Sequence, residues 1–230
     1  MRPEPEEKSA QGVIGMEPLR VTWKFSSPKA VSPHATHLDD LVAWAVVNRA
    51  TKSGLYDAPF LERENLPLAE EGGVWKASRI IFTPASEVFL VPFIRRGNPI
   101  DFAEAKRAGI FESNKNQFTV GTGPYKAFDL RLPVQWIKSA TAWCIGDREE
   151  ITSLLSDVTT IGKWWKNGYG RVKSLTVEQA DTTEAERWRE RALPAGSGME
   201  LPGVQYSLAQ GRYRPPYWEK TGTGMVVIPA

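Results

Sequence analysis

Between residues 17 and 26 apolar and polar positions alternate. Leu19, Val21, Trp23 and Phe25 are separated by Arg20, Thr22 and Lys24, with Ser26 next. A period of two marks a half-buried strand, and Ser26-Ser27-Pro28 ends it. The period then changes. Leu38, Leu41, Val42, Ala45 and Val46 recur at helical spacing, behind a Thr36/Asp39 pair with capping-box separation. The same signature returns at Asp147 and Glu150, followed by Ile151, Leu154, Leu155 and Val158. Helices are therefore predicted over 37–48 and 147–158. Strands are predicted at Ala77–Thr83 and Glu87–Ile94, joined as a hairpin through Pro84-Ala85-Ser86, and at Ser139–Ile145 and Arg171–Val177. A surface helix is expected over Thr183–Leu193 and a last strand over Met225–Pro229. Asn114–Pro133, with Gly121, Gly123 and Pro124 between β-prone runs, reads as a hairpin projecting from the body.

The order strand, helix, strand pair, insertion, strand, helix, strand fits an α+β protein. Its expected form is a ferredoxin-like (RRM-like) antiparallel sheet with both helices on one face and a β-hairpin insertion. Residues 1–16, polar and without periodicity, read as a disordered tail. The domain then covers 17–178, with the insertion at 95–138, and 179–230 form a C-terminal extension packed on it.

Composition narrows the class. At 230 residues and 41% hydrophobic content the chain can bury a core without disulfides or metal. Its one cysteine, Cys144, excludes an internal disulfide and a cysteine-rich zinc site, and lies in an apolar run suited to a buried thiol. No apolar stretch has the length of a bilayer span, and the acidic, proline-containing start is unlike a secretory signal. A cytoplasmic protein is expected. The net charge of +2 decides nothing about partners; the distribution does.

Lys163, Lys166, Arg171 and Lys173 lie between Asp157 and Glu178 with no acidic residue among them. Trp164, Trp165 and Tyr169 are interleaved with them, and Gly162, Gly168 and Gly170 free the backbone, beside Asn167. Cations neutralise phosphates and aromatic faces receive unstacked bases, so the segment suits single-stranded RNA. A tight helix-to-strand turn with tryptophans packed on the sheet uses the same residues. The segment lacks the ending of a Walker A loop. It runs from helix to strand, the reverse of a dinucleotide fingerprint.

A loop ending Gly168-Tyr169-Gly170-Arg171-Val172 after the second helix resembles the RAMP superfamily of CRISPR RNA-binding proteins. The strand at Pro18–Thr22, the Ser27-Pro28 loop and the helix His37-Leu38-Asp39-Asp40-Leu41-Val42-Ala43 resemble the RAMP-type subunit of type IV CRISPR effector complexes, as does Arg214-Pro215-Pro216-Tyr217-Trp218. Residues 50–140 add nothing specific. The resemblance implies a subunit that grips the 5′ handle of the guide RNA and caps a filament of backbone RAMP subunits. It also implies contact with a large or small subunit engaging target DNA. The grip would be Gly162 to Arg171. The loop from Ser27 to His37, with Lys29, Ser32 and His34, would be a second contact. The hairpin within 114–133 resembles a thumb, on which Tyr125 and Lys126 suit RNA on their chemistry.

Two other classes stay open. RAMP relatives that cleave a guide precursor without metal imply an endoribonuclease using the two histidines, His34 and His37. The favoured expectation is no catalysis, no metal and no cofactor. A protein-interaction module would instead use Trp143, Trp164, Trp165 and Trp218 as anchors; Arg214–Trp218 is expected to form a protein contact.

Overall fold

The structure, a computed structural model, describes residues 15–52, 65–96, 99–109, 126–217 and 223–229. The Gly121–Pro124 turn, Tyr125, Trp218 and most of the predicted tail lie outside these residues. The chain is α+β, with mostly antiparallel sheets and three helices among the described residues.

The alternating segment forms β1 (Glu17–Phe25). Leu19, Val21 and Trp23 are buried on one side of it, and Arg20, Thr22 and Lys24 project from the other. β2 (Lys29–Ala30) follows, then α1 (Leu38–Lys52). β3 (Glu70–Glu71) and β4 (Val74–Trp75) make a short hairpin. After these come β5 (Ile81–Pro84), β6 (Phe89–Arg95), α2 (Pro99–Arg107), β7 (Phe128–Gln135) and β8 (Ile137–Gly146). α3 (Arg148–Ser156) precedes β9 (Val172–Gln179). β10 (Leu193–Pro194), β11 (Tyr206–Gly211) and β12 (Gly224–Pro229) end the chain.

The main sheet has the order β5-β8-β1-β9, and every neighbouring pair is antiparallel. α1 connects β1 to β5, and α3 connects β8 to β9. Both helices bury their apolar stripes in the core that holds Leu19, Val21, Trp23, Ala140, Ala142 and Cys144. Arg49 of α1 ties them together at their exposed side, donating to the Asp157 carboxylate at 2.8 Å and to the Ser153 carbonyl at 2.9 Å. α3 starts as its sequence predicts, with the Asp147 carboxylate accepting from the Glu150 amide at 2.9 Å. Burial pushes the Cys144 thiol up to about 12, so it is inert packing.

Three expectations are corrected. The segments around 77–83 and 87–94 do not pair with each other. β5 pairs with β8, and β6 pairs with β7. They are consecutive parts of one long ribbon that changes sheets where the register slips at Thr83/Pro84. There the Ala85 amide donates to the Trp136 carbonyl, and the Trp136 amide to Ser86 Oγ. The ribbon's outer half, with β2, forms the sheet β2-β7-β6. β7 pairs back to β6 across Arg95–Phe128 to Phe89–Val134, and most of the hairpin expected within 114–133 lies outside the described residues.

Residues 183–193 are not a surface helix. They form a 3₁₀ turn, Ala185–Arg189, whose Trp188 is 0% exposed and packs with Val74 and Leu193. Arg191, also 0% exposed, donates to the carbonyls of Trp75, Ala77 and Tyr213 and to Asp39 Oδ2 at 2.9 Å. That ion pair explains the third correction. Asp39 does not complete a capping box with Thr36, because its carboxylate turns inward to Arg191 and to the Tyr217 hydroxyl, which donates to it at 3.0 Å. Burial alone would lower the Arg191 pKa, but Asp39 beside it holds the guanidinium charged. The cluster fastens the C-terminal extension to the start of α1. β10-β12-β11 forms the sheet of that extension.

Candidate nucleic-acid interface

The glycine-rich loop leaves α3 and returns as β9 through a narrow neck. The Ile161 amide donates to the Gly170 carbonyl at 2.9 Å, and the Val172 amide to the Thr159 carbonyl at 2.9 Å. The neck is latched to the turn after β1. The Gly170 amide donates to the Pro28 carbonyl at 2.8 Å, and the Arg171 amide to Ser27 Oγ at 2.9 Å. Gly170 has φ +69°, and a Cβ there would lie 2.2 Å from the Ile161 carbonyl oxygen, so only glycine closes the neck.

Within the loop the two tryptophans part. Trp164 takes φ 63°, unusual for a bulky residue. Its ring packs edge-on against Phe93 at 5.1 Å, in the small core of Ala30, Leu132 and Val134 that also receives Tyr169. Trp165 opens a 3₁₀ turn, Trp165–Asn167, and is 55% exposed, with Lys166 Nζ 5.3 Å from its ring. Lys163, Lys166, Asn167 and Arg171 are exposed on the same loop. The loop thus packs on the ribbon through Trp164 and Tyr169 and leaves its cations and one indole exposed.

Two grooves border the loop. The first, about 370 Å³, is lined by Lys29, Ser32, His34, Thr36, Arg79 and Phe82, among others. The second, about 400 Å³, lies between α1 and the loop and includes Trp44, Gly162 and Trp165. Thr36 lines both. Lys29 is mostly buried, with Nζ 4.3 Å over the Phe82 ring, and its Cε would lie 3.1 Å from a Cβ on Gly162. Burial first, and the charge of Lys163 second, lower its pKa. A cation disfavoured in this way is suited to an anion that restores its balance.

The expected site residues separate accordingly. Gly162, Lys163, Trp165, Lys166, Asn167 and Arg171 are exposed on one loop, and Lys29, Ser32 and His34 line the groove that shares Thr36 with the one beside Gly162 and Trp165. Four of the expected residues are set back from this surface. Trp164 and Tyr169 are packing residues beneath the loop. Ser27 commits its hydroxyl oxygen to the Arg171 amide. His37 is buried, stacked on Tyr217 with ring centres 4.2 Å apart and planes 10° apart. Burial, with Arg191 and Arg79 nearby, depresses its pKa to about 3. It is remote in setting from the exposed His34, so the two do not form an acid–base pair at one surface. Gly168 and Gly170 shape the turn with positive φ. Lys126 is exposed two residues before β7, at the ribbon end away from the main sheet, and no described contact brings it to the loop.

The anchors expected for a protein partner fare likewise. Trp143 lies under Arg187, whose guanidinium carbon is 3.4 Å from its ring centre. Tyr217 belongs to the buried cluster, and Arg214 lies over the chain's own Trp75 at 4.9 Å. Sequence reasoning missed Trp44 and Arg79. The signal for Trp44 was an aromatic ring on a helix outside its apolar stripe. Arg79 carried none, since the fold alone places it beside Lys29 in one groove.

Among the described residues no three His, Cys, Asp or Glu side chains come together to hold a metal, and no helix is long and apolar enough to cross a membrane. A family model described as CRISPR type IV associated protein Csf3 matches residues 17–229. No curated protein matches the chain.

Proposed function

The chain therefore belongs to the Csf3 family of type IV CRISPR-associated proteins, and we propose that it is the non-catalytic RNA-binding subunit of a type IV effector complex. In this reading it grips the 5′ handle of the guide RNA and caps the backbone of RAMP subunits in a ribonucleoprotein that targets DNA. The observation that carries it is the loop, on which Lys163, Lys166 and Arg171 are exposed together with the ring of Trp165. Chain connectivity supports a ferredoxin-like RAMP domain, with β1-α1-β5 and β8-α3-β9 interleaved in one antiparallel sheet and both helices in one core. The β6–β7 ribbon plays the thumb. Its exposed Leu90 and Ile94 favour a neighbouring subunit as its cover. The burial of His37 favours binding over strand cleavage, since it leaves His34 as the one exposed imidazole.

The test is titration of purified protein with single-stranded RNA at several salt concentrations. Removing one phosphate-binding cation flattens the slope of log affinity against log salt by about 0.7. The triple variant K163A/K166A/R171A is expected to bind more weakly and to lose about two units of slope. Unchanged affinity and slope would make the loop a structural turn and remove the reading.

A further inference from the structure

Trp44 has no part in the helix stripe that builds the core. It is 51% exposed on α1, yet it shares a groove with Trp165, which is 55% exposed on the loop. Two half-exposed indoles from separate elements on one cavity of about 400 Å³ make up much of its apolar lining, together with Leu41 and Val158. The remaining wall is short and polar: the hydroxyls of Thr36, Thr159 and Thr160 and the carboxylate of Asp40. Gly162 contributes no side chain, which keeps the loop side open. Flat apolar faces framed by a few hydrogen-bonding groups match a heteroaromatic ring better than an aliphatic side chain.

The neighbouring groove fixes what that ring is attached to. It opens from the same Thr36 and is cationic, with Lys29 and Arg79 beside the hydroxyl of Ser32 and the imidazole of His34. Lys163 is near enough for its charge to act on Lys29, and Lys166 lies beside the Trp165 ring. A flat polar-edged ring next to an anion is a nucleotide.

We propose that the α1–loop groove is a nucleobase pocket, in which one unpaired base of bound RNA stacks on Trp44 and Trp165 while its adjoining phosphate lies in the Lys29/Arg79 groove. The assignment rests on the RNA-binding reading and names the subsite within it. Stacking holds the base by its π face and tolerates any of the four. The cations hold the strand by a phosphate, so the two grooves make different contributions to salt dependence.

The experiment uses the full chain and a single-stranded RNA of about ten nucleotides, within the usual span of such sites, with an abasic residue placed at each position in turn. For the native protein one position is expected to be special. Loss of its base weakens binding by between about five- and 150-fold. Trp44→Ala should weaken binding of the intact RNA by a similar factor, leave the salt slope unchanged, and abolish the extra penalty at that position. Trp44→Phe should restore much of the affinity, and the exposure of residue 44 leaves the fold intact in both variants. If Trp44→Ala binds intact RNA as the native protein does, while the triple lysine/arginine variant is weakened, the pocket is wrong and the RNA reading survives. If the native protein binds none of the RNAs, both fall. If Trp44→Ala leaves RNA binding unchanged but abolishes assembly with co-expressed complex subunits, the groove holds a protein segment and the proposal is overturned.

Discussion

His37→Phe isolates one titration in the folded protein. The ring of His37 is buried against Tyr217, and its Nδ1 has no hydrogen-bond partner among the described residues. Burial, followed by the charges of Arg191 and Arg79, lowers its pKa from 6.5 to about 3. The unfolded chain takes up a proton near pH 6.5, and the folded protein does not until much lower. Between those values the unfolded state binds more protons, so stability is full above pH 6.5 and is lost as pH falls toward 3. Linkage over this window gives a loss of about 2 kcal/mol at pH 5 and about 3 kcal/mol at pH 4 relative to pH 8. Asp39, whose carboxyl pKa burial raises, works in the opposite sense and is present in both proteins. Phenylalanine keeps a flat ring against Tyr217 and cannot titrate. Urea unfolding of the native and variant proteins at pH 8, 6 and 5 reads the difference directly. The native protein should lose about 2 kcal/mol more than the variant by pH 5. Parallel pH profiles for the two would show that His37 is exposed or paired in solution and refute the argument.

Asp39→Asn leaves the Arg191 charge without its counter-ion at a position where both side chains are 0% exposed, and should cost about 3–5 kcal/mol; the double variant Asp39→Leu/Arg191→Met should recover much of it in the same thermal melt. Gly168→Ala meets only the strain of φ +90°, since its nearest neighbour is the Arg171 side chain at 3.8 Å, and should cost about 1–2 kcal/mol in denaturant unfolding. Gly170→Ala adds the collision with the Ile161 carbonyl and should cost clearly more than Gly168→Ala, so equal losses would mean the neck is not closed as described. Arg49→Ala, in a pair about 40% exposed on each side, should change stability by at most about 1 kcal/mol, less at high salt.

What the sequence disclosed and what it concealed follow from how many neighbours each segment faces. β1, α1 and α3 each bury one side in one core, so their periods of 2 and 3.6 survive undisturbed and are readable. The ribbon is not. Its strands leave one sheet and enter another at Pro84–Ser86 and Trp136, and the local pattern does not say which strand lies opposite. Residues 183–193 mislead for a different reason. A charged sequence ordinarily means solvent, but here Arg191 supplies hydrogen bonds to carbonyls of the β4–β5 connection and neutralises Asp39. The fold uses the pair as an internal fastener, and neither residue type announces that.

The site is legible as a composition and not as a geometry. Glycine, lysine and tryptophan in one short run are enough to nominate the candidate loop, because its physical demands are local. Which rings face outward is set by a single dihedral angle. Trp164 and Trp165 are adjacent and chemically identical, yet the left-handed backbone at Trp164 turns its ring into the ribbon core against Phe93. The 3₁₀ turn then swings Trp165 toward α1. The groove it completes needs Trp44, more than a hundred residues earlier, and its cationic neighbour needs Lys29 and Arg79. These side chains meet because β1, α1 and β5 are fixed by the common core, and the loop is pinned to the turn after β1 through Ser27 and Pro28. Packing residues that touch no ligand therefore decide the spacing of those that would. Trp164→Ala should accordingly impair RNA binding through loss of loop order, with reduced thermal stability, whereas Trp165→Ala should impair it with stability retained.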